Sequence, residues 1–389
     1  MSHLRYGIVG LRAGYLRQDS RPLAFIPIKA VRYARLEGTR LSLAKGPYGE
    51  VIWSFDIAGN VIETNADDRK LAIYILDSQR RKRRVMLLSA LDDKSFARWS
   101  AWLVRASKSV LEMHYTMDRL ISKGAFARVV LGNDLHTREQ VAIKLIEKSN
   151  APPSERKYYE REVKIMQTLS HPNIVQCFDV FDNRLRTRIV MEYIQGGTLS
   201  DIISDTKTPM PESTARRLML DILCGVEYLH DMNTVHRDLK PDNCLLTSAN
   251  PLEATVKLSD FGLSNFVAEN GRQPCYPSDE HGVYTSAVGS PGFVAPEIFA
   301  ARYGTAVDIW SCGVILYMLL SGGIMPFRGK SPSEIIVHAK KGDFGFENAI
   351  PQCSAAAKDL VRGLLNVDEK QRLTAKQALG HRWFREKNS

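Results

Sequence analysis

Cysteine is scarce in this 389-residue chain: six residues, at 177, 224, 244, 275, 312 and 353, with none among the first 115. They lie far apart and show no paired CxxC spacing, which excludes a disulfide scaffold and a ribbon-type metal site. Long apolar runs are missing too. The most apolar stretch, 309–320, is interrupted by Ser311, Cys312 and Gly313 and is too short to cross a bilayer. It reads as a buried helix. The first fourteen residues carry scattered charge and no apolar core of signal-peptide length, so the expected location is cytoplasmic.

An acidic excess is absent as well, and the basic excess is uneven. Lys and Arg number 53 against 43 Asp and Glu, a net of +10. Residues 1–115 hold 20 basic and 11 acidic side chains, a net of +9, which leaves the remainder at +1. A nucleic-acid enzyme whose main body tracks phosphate backbones is thereby excluded, and no nucleic-acid partner is expected. At 44% hydrophobic and 25% charged the composition is that of a globular protein, with two domains as the prior from length.

The first third alternates in the manner of a β domain. Short runs rich in β-branched or aromatic residues at 13–16, 28–36, 40–44, 51–55, 71–76 and 84–90 are separated by turns such as Lys45-Gly46-Pro47 and Ala58-Gly59-Asn60. A helix follows. Asp92 or Asp93 can cap it, and Phe96, Trp99, Trp102 and Leu103 make one apolar face that packs on the strands. Six or seven strands and one Trp-containing helix over residues 6–108, together with Ala13-Gly14-Tyr15-Leu16, Arg32-Tyr33 and Trp99, resemble a pleckstrin-homology domain. The resemblance implies a β-barrel closed by its C-terminal helix.

Beyond residue 115 a set of motifs appears in order. Ile121-Ser122-Lys123-Gly124-Ala125-Phe126-Ala127-Arg128-Val129 sits where a glycine-rich loop would join two strands, and Val141-Ala142-Ile143-Lys144 follows. His236-Arg237-Asp238-Leu239-Lys240-Pro241-Asp242-Asn243, Asp260-Phe261-Gly262 and Ala295-Pro296-Glu297 complete the series. A glycine-rich loop alone is weak; the ordered set is not. It resembles the eukaryotic protein kinases over residues 115–384, and details such as Val256-Lys257-Leu258-Ser259 and His381-Arg382-Trp383-Phe384 are similar to the calcium/calmodulin-dependent group.

The resemblance implies a bilobal α+β fold after the N-terminal domain, and transfer of phosphate from ATP, with Mg²⁺, to protein hydroxyls. Such transfer depends on positioning and charge neutralisation, as in the general scheme for protein kinases. Lys144, steadied by Glu162, would meet the α/β-phosphates. Asn243 and Asp260 would hold Mg²⁺, Asp238 would orient the substrate hydroxyl, and Lys240 would reach the γ-phosphate. Lys240 and Gly289-Ser290-Pro291 point to serine/threonine substrates. The nucleotide would lie against Ile121, Gly124, Ala127, Val129, Ala142, Met191, Glu192, Ile194 and Leu245. His236, Phe261, Met166 and Cys177 read as packing residues, Glu297 with Arg372 as a scaffold pair, and Asp308 as an anchor for the catalytic loop.

Two features depart from or extend this pattern. Ser122 and Ala127 replace two of the three family glycines, and glycine serves there for close approach to phosphate. The alternative class is therefore a catalytically weak signalling scaffold. The interval before Ala295 reads as an activation loop, with Thr285 and Ser286 as phosphorylation candidates and Arg237 as the partner of a phosphate. In the N-terminal domain, Arg80, Arg81, Lys82, Arg83 and Arg84 are five consecutive cations expected on a turn, and Arg12, Lys29 and Arg32 lie near the first two strands. They are candidates for anionic membrane lipid, giving a peripheral location, or for an intramolecular contact with the kinase; Ala30 stands where phosphoinositide-binding relatives have a basic residue.

Overall fold

Period-two alternation in the first third becomes seven antiparallel strands: β1 (Leu11–Ser20), β2 (Pro27–Glu37), β3 (Arg40–Ala44), β4 (Val51–Asp56), β5 (Val61–Asn65), β6 (Lys70–Leu76) and β7 (Lys82–Ala90). The computed structural model describes residues 11–20, 27–37, 39–76, 82–108, 110–124, 127–148, 153–182, 186–266, 290, 292–300, 303–346, 350 and 352–385. The strands pair in the order β4-β3-β2-β1-β7-β6-β5. Among the described residues no pairing joins β4 to β5, so the strands form no closed barrel. β5 was not expected at all. Its sequence VIETN is short, polar and mostly exposed, so it has little alternation to read.

The core of this sheet follows from the pleat. On β3, Leu41 and Leu43 are buried while Ser42 between them is not, and they pair across to Phe55 and Trp53 on β4. Helix α1 (Asp93–Ser107) starts at Asp92, whose Oδ1 accepts the Ser95 backbone N–H at 2.7 Å; of the two expected caps it is the first that serves. Trp99 and Leu103 on α1 join Leu16, Leu36, Ile73 and Leu88 in one apolar cluster, with Trp99 and Trp102 edge to face at 5.2 Å.

Part of the basic run lies on a strand. Lys82, Arg83 and Arg84 are residues of β7, and Lys82 Nζ lies 2.6 Å from Glu63 Oε1; the pair is half exposed and contributes little stability. Arg80 and Arg81 lie outside the described residues, as do Thr285 and Ser286. Arg12 falls on β1 and Lys29 on β2.

The chain divides into two compact units, one running to Arg156 together with Cys177–Tyr193, the other taking Lys157–Gln176 and everything from Ile194. The first unit therefore joins the N-terminal sheet to a second one, built from β8 (Leu120–Lys123), β9 (Ala127–Asn133), β10 (Gln140–Glu147), β11 (Cys177–Asp182) and β12 (Arg186–Glu192) in the order β11-β12-β10-β9-β8. The segment that connects the two sheets is built in rather than free. Leu111 and Tyr115 are buried with Val141, Ile143, Phe181 and Val190, and the Tyr115 hydroxyl donates to Asp179 Oδ2 at 2.5 Å.

The second unit is mainly helical: most of α2 (Pro153–Thr168), then α3 (Leu199–Thr206), α4 (Glu212–Asp231), α5 (Ala306–Ser321), α6 (Pro332–Lys341), α7 (Ala355–Leu364) and α8 (Ala375–Leu379). Two short hairpins interrupt it, β13 (Thr234–Val235) with β16 (Asn265–Phe266) and β14 (Cys244–Leu246) with β15 (Val256–Leu258). The apolar stretch 309–320 is, as expected, a helix buried almost throughout, and no helix among the described residues is long and apolar enough to cross a membrane.

Arg372 fastens this unit together. Its guanidinium pairs with Glu297 (Nη2 to Oε2 3.0 Å), donates to the carbonyls of Ala306 and Asn366, both at 2.8 Å, and lies 5.0 Å from the Trp310 ring. The Arg372 side chain is fully buried, so removing its counter-ion leaves an uncompensated interior charge. Glu297→Gln is expected to destabilise this unit by about 3–5 kcal/mol, read as a lowered denaturation midpoint of the helical signal.

Candidate active site

A buried carboxylate builds the loop that carries the motif residues. Asp308, at the start of α5 and fully buried, accepts the backbone N–H groups of His236 (Oδ2, 2.9 Å) and Arg237 (Oδ1, 2.9 Å) and bonds His230 Nε2 at 3.0 Å. Burial alone would raise its pKa; the hydrogen bonds and the charge of His230, with His236, hold it below the ordinary value instead. The loop then leaves β13 with Arg237 in the left-handed region at φ 69°, a conformation that a non-glycine residue adopts only when its surroundings impose it.

Asp238 is the next residue. Its Oδ2 accepts Lys240 Nζ at 2.9 Å and Asn243 Nδ2 at 3.2 Å, while Oδ1 accepts both the backbone N–H and the hydroxyl of Ser290 at 3.1 Å. Lys240 Nζ also donates to Ser290 Oγ at 2.8 Å, which closes a ring of three side chains. Asn243 Nδ2 donates to the Asp238 carbonyl at 2.8 Å. Four donors aimed at one carboxylate fix its orientation.

The β14–β15 hairpin brings the second acidic motif to the same place. Cys244 pairs with Leu258, so Asn243 enters the hairpin opposite the point where Ser259 and Asp260 leave it, and Ser259 N donates to the Asn243 carbonyl at 2.9 Å. Asp260 is exposed and left-handed at φ 61°. Phe261 is fully buried against His236 with ring centroids 5.0 Å apart, and His236 Nε2 bonds the Ser259 carbonyl at 3.0 Å. Both are packing residues here, in line with the sequence.

In the first unit, β10 lies between β9 and β12. Its Lys144 pairs with Val129 and Ile189, and Ala142 pairs with Leu131 and Met191. Residues directly opposite across antiparallel strands share a face. Val129, Ala142, Lys144 and Met191 therefore form one patch, with Ala142 buried and the other three half-buried. Ile121 stands at the bulge between Leu120 and Ser122 on β8, exposed, and the hairpin closes through Gly124 N to the Ala127 carbonyl at 2.8 Å. A Cβ at Gly124 would meet nothing closer than 3.5 Å, so this glycine is not demanded by packing. Glu192 ends β12 half-buried.

Of the remaining expected site residues, Glu162 is buried on α2, and Ile194 and Leu245 are half-buried in the second unit. Met166 and Cys177 are buried, each in its own unit, and burial pushes the Cys177 thiol up to about 12. Thr198 caps α3 in a reciprocal box with Asp201, while Asp242 is exposed.

Two side chains escaped the sequence reading. Ser290 figured there only as part of a substrate-class motif, yet its hydroxyl bridges Asp238 and Lys240; the pairing spans fifty residues and leaves no local signal. Arg237 makes contacts that the sequence did not announce, while its expected phosphate partners, Thr285 and Ser286, lie outside the described residues. It is buried, with Nε donating to the Leu263 carbonyl at 2.5 Å and Nη1 to the Tyr303 hydroxyl at 3.0 Å.

With this geometry in hand the comparisons are decisive. The family model "Protein kinase domain" matches residues 115–384. Calcium/calmodulin-dependent protein kinase type 1 of Macrobrachium nipponense is 37% identical over 277 residues, covering 70% of this chain and 76% of the relative. Myosin light chain kinase A of Dictyostelium discoideum is 38% identical over 282 residues, covering 72% and 90%. Serine/threonine-protein kinase DCLK3 of Mus musculus is 38% identical over 279 residues, but the match spans only 33% of that longer protein. The chain belongs to the protein kinase family, and its catalytic domain is a serine/threonine protein kinase domain with the bilobal fold of that family. The matched region leaves the N-terminal sheet outside it.

Ser290→Ala keeps the backbone bond to Asp238 but removes both hydroxyl contacts. Turnover is expected to fall about tenfold or more with a smaller change in the KM for ATP, measured from initial rates of phosphate incorporation.

Proposed function

We propose that the chain transfers the γ-phosphate of ATP to serine or threonine hydroxyls of protein substrates, with Asp238 orienting and deprotonating the hydroxyl. The observation that carries this reading is the ring around Asp238, in which Lys240, Asn243 and Ser290 hold one carboxylate in place. Proton transfer needs such a fixed acceptor. Lys240, bonded to that carboxylate, supplies positive charge beside the reacting centre, and Lys144 supplies it to the α/β-phosphates with Glu162 as its support.

The residues present suit Mg²⁺. Both side-chain hydrogen bonds of Asn243 use its amide nitrogen, which keeps the amide oxygen for a cation, and Asp260 is an exposed carboxylate brought beside it by the β14–β15 register. Among the described residues no cluster of three or more acidic, His or Cys side chains could hold a metal alone. This fits a cation that takes one or two protein oxygens and completes its shell with phosphate and water. When bound, Mg²⁺ neutralises phosphate charge; the protein's own part is to hold the two oxygens and the proton acceptor in register.

Ser122 and Ala127 favour the weaker reading, a scaffold with little catalysis. One assay separates the two. Full-length protein with labelled ATP, Mg²⁺ and a generic basic protein substrate should incorporate phosphate, and Asp238→Asn should lower the rate by about 10²–10⁴-fold. Equal incorporation by wild type and variant would overturn the kinase reading.

For the N-terminal domain we infer a pleckstrin-homology-like module that attracts anionic membrane lipid, which would place the protein in the cytoplasm and peripherally at membranes. The net charge of +9 supports it. So does the tip between β3 and β4, where Tyr48 is fully exposed and Val51 and Ile52 are exposed on the edge strand beside Lys45. Arg32 pairs with Leu16 on the inner row of the sheet, and its Nε is buried with no hydrogen-bond partner among the described residues, a donor suited to an anion. Full-length protein should sediment with phosphatidylserine vesicles and not with phosphatidylcholine vesicles, less so as salt rises. No sedimentation at low salt would reject the lipid reading.

A further inference from the structure

The turn between β2 and β3 reaches outside its own sheet. Thr39, buried, donates its hydroxyl to the Asp182 carbonyl at 3.1 Å, at the end of β11 in the kinase sheet. The same threonine's carbonyl accepts Ile57 N at 2.9 Å, so the contact is tied to the end of β4 as well. Asp182 is itself a node. Its carboxylate accepts the buried Lys148 ammonium and the fully buried Thr187 hydroxyl, which join the ends of β10, β11 and β12. Asp56 stands close enough to feel Asp182: burial raises its carboxyl pKa first, the Ala58 N–H it accepts opposes this, and the Asp182 charge adds to the rise.

A second joint lies along the connecting segment. Gly59, left-handed at φ 72° in the turn after β4, donates its N–H to the Ser107 carbonyl at the end of α1 at 2.8 Å. Immediately beyond, Leu111 and Tyr115 enter the kinase core, and Glu112 pairs with Arg188 on β12 at 3.0 Å. The two joints grip the same β11–β12 hairpin at neighbouring pairs: one at its end residue Asp182, the other at Arg188 and Phe181. A domain meant to dock and release would be held through one face and a free linker. Here the linker itself is core.

We propose that the N-terminal domain is a fixed brace of the kinase's β11–β12 hairpin, part of the small lobe's architecture, and not a releasable inhibitor that docks on it. The intramolecular contact expected from sequence thus takes a specific form, with Thr39 as its removable pin. Because β12 ends at Glu192, in the proposed nucleotide-edge segment, loosening this hairpin acts on the catalytic side of the lobe.

The test uses the full chain and the near-isosteric Thr39→Val, with Thr39→Ser as the conservative variant. Amide hydrogen exchange over residues 177–192 is expected to quicken about three- to tenfold in Thr39→Val, the worth of one lost hydrogen bond, and to return to the wild-type rate in Thr39→Ser. Phosphate incorporation should equal or fall below wild type. Unchanged exchange in Thr39→Val, or activity above wild type, would overturn the proposal. The exchange arm needs no enzyme activity, so a failure of the kinase reading and a failure of the brace are told apart.

Discussion

The arrangement around Asp308 is the constraint on which the catalytic unit depends. A single buried carboxylate accepts two consecutive backbone N–H groups, those of His236 and Arg237, and a histidine from α4. Left-handed backbone at Arg237 and again at Asp260 costs of order 1–3 kcal/mol each, and such positions persist only where their surroundings over-determine them. At Arg237 the hydrogen bonds from α5 supply that determination. Asp238 within its ring of donors, and Asn243 at the mouth of the β14–β15 hairpin, inherit a backbone already fixed. Rigidity of this kind is what phosphoryl transfer asks of a protein that does little covalent chemistry itself.

Much of the catalytic domain was legible because its chemistry requires particular side chains at particular intervals. Asp238, Lys240, Asn243 and Asp260 fall within short, ordered motifs; the Glu297–Arg372 pair and the Asp308 anchor follow from matching residues to that frame, and the helix at 309–320 from its apolar run alone. The hydroxyl of Ser290 was not legible as a bridge, because the partner lies fifty residues away and serine is common in loops. The contacts of Arg237 were not legible either. Its bonds to the Leu263 carbonyl and the Tyr303 hydroxyl link residues 26 and 66 positions away, too far apart for a local motif to signal.

In the N-terminal third, alternation located most strands and the helix cap, since both depend on residues a few positions apart. Closure of the sheet does not: it depends on whether β4 meets β5, and VIETN on β5 offers no apolar stripe to signal it. The basic run was placed on a turn because consecutive charges read as solvated, yet three of the five extend β7, where antiparallel pairing tolerates them on an exposed strand end. The boundary drawn by charge is also not a boundary of packing. Leu111 and Tyr115 lie at the point where the net charge changes, and they are core residues of the neighbouring sheet.

The burial of Cys177, Cys244, Cys312 and Cys353 bears on the chemistry this protein would undergo. Cys177 and Cys244 are held up at about 12 and Cys353 at about 11, while Cys312 is pushed well above the ordinary thiol value, all first by loss of solvent. Thiolate is the reactive form, and a thiol at 12 offers on the order of one ionised molecule in 10⁵ at neutral pH. These sulfurs behave as small apolar side chains. Electrophiles and peroxide would find little to react with at Cys177, Cys244, Cys312 and Cys353 until the surrounding helices and strands had first opened.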